Sequence, residues 1–254
     1  MHHSFLDIYS DKDSPIHKID PRIKILISIL LIIFAVTINN LFEFIFLSLI
    51  LLISIFFSNI PIKNIFIRSL KIIPFILILS IFIPFVKGDS TLIQFKFIIP
   101  ITIGKEGLVL FCRIVLRSYL VVLITIILIT TTRFTSLLKG FEGLKFPHVF
   151  ILILSFMYRY IFLFFDEFER LLRARNSRMI KPGLFLKIKS LAYVIGTMFL
   201  RTFERSERVY EAMISRGFTG EIITMEQMSV KKLDIIILGF VFLILIIIRL
   251  ISVL

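Results

Sequence analysis

The sequence predicts an all-α, polytopic membrane protein with about five transmembrane helices and cytoplasmic amphipathic helices between the fourth and last spans. Three observations lead there. Hydrophobic residues make up 58% of the 254 residues and the mean hydropathy is +1.00, far from the balance of a water-soluble domain. Several apolar runs approach the roughly 20 residues that a helix needs to cross a hydrocarbon core. The Lys and Arg behind the net charge of +13 lie between and beside those runs, as the positive-inside rule places them. Charge so distributed reports orientation in a lipid bilayer and gives no reason to expect nucleic acid. The single cysteine, Cys112, lies in an apolar run, which excludes an internal disulfide or a cysteine-based metal cluster. The polar first 22 residues contain no apolar h-region, so no cleaved signal peptide is expected.

Residues 23–38 and 41–57 are apolar runs separated only by Asn39 and Asn40, and so read as an antiparallel helical hairpin. A third run, 72–86, is short and contains Pro74 and Pro84, which neighbouring helices can accommodate. The fourth run is 108–131, and the last, 233–254, is nearly pure Ile, Leu, Val and Phe. A further run, 149–165, carries Tyr158, Arg159 and Tyr160 and leads into a charged stretch. If it crossed fully, the many Lys and Arg of 166–232 would lie outside, against the positive-inside rule. It is therefore expected at the cytoplasmic boundary or packed obliquely on the bundle. The N-terminus is then cytoplasmic and the C-terminus external, with Arg249 snorkelling near the outer end. The chain divides into four spans (1–132), a cytoplasmic or interfacial segment (133–232) and a last span (233–254).

Within that segment, Ile188, Leu191, Ile195, Phe199, Thr202 or Phe203, Tyr210 and Met213 recur mostly every three or four residues over 184–214. Arg201, Glu204, Arg205, Glu207, Arg208 and Glu211 are assigned to the other faces, which makes an amphipathic helix. Residues 166–178 read as a similar, shorter helix, and Lys181-Pro182-Gly183 separates the two. An arginine follows a small residue near the end of each, in Ser177-Arg178-Met179 and Ser215-Arg216-Gly217. Small neighbours leave a guanidinium exposed, and its planar fork suits a bidentate carboxylate in an acidic groove on another protein. Two such tips suggest two copies of a partner. An interfacial hairpin whose arginines only hold the cytoplasmic side fits the same residues.

Several stretches resemble one family. These are HSFLDIYSDKDSPIHKIDPRIKIL at 3–26, TTRFTSLLKGFEGLKFP at 131–147, FMYRYIFLFFDEFERLLRARNSR at 156–178 and AMISRGFTG at 212–220. Together they resemble the transmembrane T component of energy-coupling factor (ECF) transporters, in its cobalt and nickel branch, the CbiQ family. The resemblance implies a non-catalytic coupling subunit in the plasma membrane of a prokaryote. Two cytoplasmic ATPase subunits and a membrane-embedded substrate-capture (S) subunit would be its partners. Arg178 and Arg216, each in its triplet, would dock one ATPase apiece, and the helices bearing them would hold the S subunit. Met179 stands where the family commonly has glycine, which leaves Arg175, in Ala174-Arg175-Asn176, as a rival for the first motif.

Other constellations carry less. His2 and His3 make a poor selective metal site, and the resemblance assigns metal capture to another subunit; no resident cofactor is expected. His17, Asp20, Pro21 and Arg22 suit the cap and start of the first span. Arg113 and Arg117 are one turn apart in the fourth run, facing either a polar seam or the headgroups. There is no phosphate-binding glycine loop, paired-carboxylate metal motif or Ser-His-Asp arrangement. An integral membrane enzyme is thereby disfavoured, since Glu43 is the only acid in the interior of an apolar run. A T component shared among vitamin transporters is the nearer competitor.

Overall fold

A computed structural model describes residues 14–58, 60–81, 91–96, 100–178, 183–220 and 231–253. In chain order they form α1 (Pro21–Thr37), α2 (Leu41–Phe57), α3 (Ile62–Ser80), β1 (Thr91–Lys96), β2 (Pro100–Gly104), α4 (Lys105–Thr131), α5 (Phe134–Gly143), α6 (His148–Arg178), α7 (Leu184–Ile214) and α8 (Lys232–Val253). The fold is that of a helical membrane protein. Among the described residues three helices are long and apolar enough to cross a bilayer, over Gly107–Thr131, His148–Arg178 and Lys232–Ser252, and Leu41–Phe57 is a shorter apolar helix. Large apolar side chains such as Phe56, Leu52, Ile236 and Phe240 face outward over whole helix lengths, a surface that water does not tolerate and lipid does.

The described residues form two compact units, one within 141–220, the other within 14–140 together with 231–253. In the second unit Asp20 caps α1, its carboxylate accepting from the Arg22 N–H at 2.9 Å, and Pro21 opens the helix where its missing N–H costs nothing. Helices α1, α2, α4 and α8 bury one core, in which Ala35, Ile38, Leu47, Leu51, Ile124 and Ile248 are almost wholly enclosed. A second cluster, Ile55, Ile60, Ile65 and Ile126, ties α2 and α3 to α4. Close approach of α5 to α1 depends on Gly140, where a Cβ would stand 2.8 Å from Ile25 Cδ1 and 3.3 Å from the Pro21 carbonyl carbon.

Several elements differ from expectation. Helix α3 starts directly behind Pro61, ten residues before the expected 72, because Lys63, Arg68 and Lys71 ride on its first turns rather than in a loop. Pro84 lies outside the described residues. Strands β1 and β2 pair antiparallel, with Gln94 opposite Thr102 and Phe95 opposite Ile101; this short hairpin was not anticipated among the helices. Runs 149–165 and 166–178 form one continuous helix, α6. Its apolar first half and charged second half change composition without any breaker between them.

Two of the charges within the apolar runs, Glu43 and Arg249, pair with each other. Glu43 is fully buried at the start of α2, where it accepts from the Asn39 N–H (3.0 Å), Arg249 Nη1 (2.8 Å) and the Ser252 hydroxyl. Arg249 also donates to the Thr37 carbonyl at 3.2 Å, and Asn40 Nδ2 to the Ser252 carbonyl at 2.9 Å. Arg249, expected to snorkel, instead clamps α8 onto the turn between α1 and α2. Arg117 donates to the Ile38 carbonyl and to Asn39 Oδ1 (3.0 Å), so it faces a polar seam at the same turn.

Candidate functional site

The two arginine tips belong to the unit of α6 and α7. Helix α7 ends in a Schellman closure: the Phe218 N–H donates to the Met213 carbonyl at 3.0 Å and the Gly217 N–H to the Ile214 carbonyl at 2.9 Å. Gly217 adopts φ +81° to make it, a conformation that a Cβ disfavours. Ser215 Oγ donates back to the Ala212 carbonyl at 3.0 Å, so its hydroxyl is turned inward. Arg216 is exposed, and among the described residues its guanidinium has no partner.

The tip of α6 is built alike. Ser177 Oγ donates to the Ala174 carbonyl at 2.9 Å, and Arg178 projects exposed with no partner among the described residues. Arg175 differs: it is half-buried, and its Nε and Nη2 both donate to Asn176 Oδ1, at 3.2 and 2.9 Å. Its fork is therefore occupied locally while that of Arg178 is open. Met179 lies outside the described residues, as do Lys181 and Pro182 of the expected breaker and His2 and His3.

Helix length separates the tips. Thirty-one residues of α7 rise about 46 Å, while the six steps from Arg178 to Leu184 reach at most about 21 Å. Arg178 and Arg216 are thus no closer than roughly 25 Å, too far apart for one small site to hold both.

Along the unit, the charged half of α6 meets α7 through Arg201 Nη1 and Glu167 Oε1 at 2.6 Å, with Arg170 3.6 Å from the other oxygen. Phe156, Tyr160 and Phe164 stack at successive turns of α6, with ring centroids 6.4 and 6.3 Å apart. Opposite them, Thr202, Arg205, Ser206, Val209 and Met213 of α7 complete a cavity of about 230 Å³. The face of α7 turned inward is therefore Leu191, Val194, Met198, Thr202, Arg205, Val209 and Met213. This corrects the expected stripe. Leu191, Thr202 and Met213 belong to it, but Ile188, Ile195, Phe199 (69% exposed), Phe203 and Tyr210 (57%) point away, and Arg205 sits on the packed side. The pattern contains two apolar faces, and the one that carries Thr202, Val209 and Met213 is the one packed on the aromatic ladder.

Sequence reasoning named neither the Glu167–Arg201 pair nor the Glu43–Arg249 pair. The second had a signal: a lone acid and a lone arginine in separate apolar runs are expected to find each other where lipid offers no solvation.

Against this geometry, comparison with known proteins decides the family. Residues 12–230 match the family model described as CbiQ, cobalt transport protein. The chain belongs to the CbiQ family. Its relatives within reach of a sequence comparison include an uncharacterised protein of Methanocaldococcus jannaschii, 28% identical over 250 residues, covering 93% of this chain and 82% of that protein. The chain is also similar to energy-coupling factor transporter transmembrane proteins EcfT. That of Clostridium kluyveri is 28% identical over 84% of this chain and 82% of its own. That of Macrococcus caseolyticus is 30% identical over 81% of both.

Proposed function

We propose that this CbiQ-family chain is the transmembrane coupling subunit of an ECF-type importer for cobalt or nickel ions, and that it has no catalytic step of its own. The observation that carries the reading is the pair of exposed, locally uncommitted arginines, each at a helix tip and too far apart to share one site. Each suits a carboxylate-lined groove on a separate ATPase subunit, with Ser177, Arg178 and Met179 forming one contact and Ser215, Arg216 and Gly217 the other. The names of the EcfT relatives support a place in an energy-coupling factor transporter, whose ATPase and S subunits are the partners we assign, and the description of the family model supports a cobalt-type substrate. The outward apolar face of α7, with Phe199, Phe203 and Tyr210, is the surface we assign to the S subunit. Movement of the ATPase pair would reach it through the α6–α7 unit.

In the topology we infer, residues 1–132 supply four spans and 233–254 the fifth, with 133–232 at the cytoplasmic side of the plasma membrane. The N-terminus is inside and the C-terminus outside. The basic residues of 166–232 favour this arrangement over a full crossing of α6.

Ion uptake by cells carrying the complete transporter tests the function. A buried bidentate arginine costs roughly 2–5 kcal/mol when truncated, so Arg178→Ala and Arg216→Ala should each abolish most cobalt or nickel uptake, and Arg→Glu should be worse. If Arg175→Ala abolishes uptake and Arg178→Ala does not, the first contact moves three residues upstream. Vitamin uptake in place of metal uptake would make the chain a T component of the vitamin class, because the EcfT names specify no substrate.

A further inference from the structure

Lys24 is a charged side chain buried inside the helix bundle, only 7% exposed, on the first turns of α1. Two of its three N–H donors are used, by the carbonyls of His17 (3.2 Å) and Thr131 (3.0 Å). Both acceptors are neutral. The acids facing it are Asp20 and Asp234, and neither makes an ion pair with its ammonium among the described residues. Each is held at a helix N-terminus, Asp20 as the cap of α1 and Asp234 in the first turn of α8, where the helix dipole already offsets a negative charge. A buried ammonium left without a contacting counter-charge costs several kcal/mol.

Beside it opens a cavity of about 220 Å³ between α1, α2, α4 and α8. Its walls are hydrocarbon, including Ile27, Leu31, Leu51, Ile124, Ile127 and Val241. The hydroxyls at its edge are spent on backbone carbonyls: Ser28 on Lys24 (2.6 Å), Ser54 on Ile50 (2.9 Å) and Thr131 on Ile127 (2.7 Å). Water needs two to four polar partners to settle in a cavity, and among the described residues the third N–H of Lys24 is the one uncommitted donor here. From Lys24 to Leu31 the cavity follows α1 for about 10 Å. That shape is a cation at one end of an apolar slot.

We propose that Lys24 and this cavity form a binding site for an anionic amphiphile, a carboxylate or phosphate headgroup whose hydrocarbon chain lies along α1 toward Leu31. The headgroup oxygen takes the third N–H of Lys24 and neutralises its charge. The slot takes the part of one hydrocarbon chain next to the headgroup, that of a free fatty acid or of an anionic phospholipid.

The test is native mass spectrometry of the full-length, delipidated chain in detergent, titrated with oleate, phosphatidylglycerol or, as a zwitterionic control, phosphatidylcholine. Wild type should bind oleate or phosphatidylglycerol at least tenfold more tightly than Lys24→Met, and phosphatidylcholine no better than that variant does. Whichever anionic probe binds identifies the source of the headgroup. Ile127→Phe, which leaves the ammonium in place and fills the slot, should also lose binding, and it decides by itself if Lys24→Met does not accumulate. Equal binding by wild type and the variants, or no binding of either anionic probe by wild type, overturns the proposal.

Discussion

At the residue scale, the charges inside the apolar segments determine whether the helices stay together. Glu43 is fully buried and accepts three hydrogen bonds, while its partner Arg249 is 41% exposed. Removing one member of such a pair strands the other, and Glu43→Ala should destabilise the purified protein by roughly 3 kcal/mol. The reciprocal loss in Arg249→Ala is expected to be at least as large, because the acid it leaves behind has no water. Replacing both by Gln and Met should recover most of the stability. Thermal unfolding in detergent checks this, and a double variant no better than Glu43→Ala would mean that the turn needs the charge itself. The open arginines at the helix tips are the opposite case. Arg178 and Arg216 make no side-chain hydrogen bond or ion pair among the described residues, and exposed charges of that kind contribute about 0–1 kcal/mol to the fold.

At the element scale, helices were more legible in the sequence than their faces or their contacts. The bounds of α2 and α7 follow directly from an uninterrupted apolar run and from a Pro-Gly breaker followed by a Ser-Arg-Gly stop. The start of α3 did not, because basic residues on a first helical turn look like a loop to a hydropathy reading. The packed face of α7 was misassigned because the sequence marks apolar positions without saying which neighbour they meet. The aromatic ladder of α6 meets Thr202, Val209 and Met213, and Phe199 and Tyr210 are left outside. The tips themselves were legible from Ser-Arg spacing, since a small residue and an arginine at a helix end form a local pattern, whereas Glu167–Arg201 joins residues 34 apart. Glycine at 140 also has meaning only in three dimensions. The Cβ of Gly140→Ala already meets Ile25 Cδ1 and Pro21 and should cost about 1 kcal/mol, whereas Gly140→Leu puts further atoms into the same space and should cost about 3 kcal/mol. Equal stability of the two variants would show that α5 does not press on α1 as described.

At the scale of the whole molecule, a lipid-facing bundle and a charged helical pair are separate compact units of one chain. Orientation is testable by labelling single cysteines in intact cells. In the topology inferred above, cysteine at position 190 should be protected from an impermeant reagent and cysteine at position 89 should react. External labelling at position 190 would mean that α6 crosses fully. The central claim is that Arg178 and Arg216 are two independent anchors, one for each ATPase subunit. Native mass spectrometry of the assembled transporter, counting ATPase copies per membrane subunit, measures this directly. The account predicts two copies for wild type, one for Arg178→Ala, one for Arg216→Ala and none for the double variant, with the membrane subunit accumulating normally in all four. Two copies retained by the double variant would contradict it.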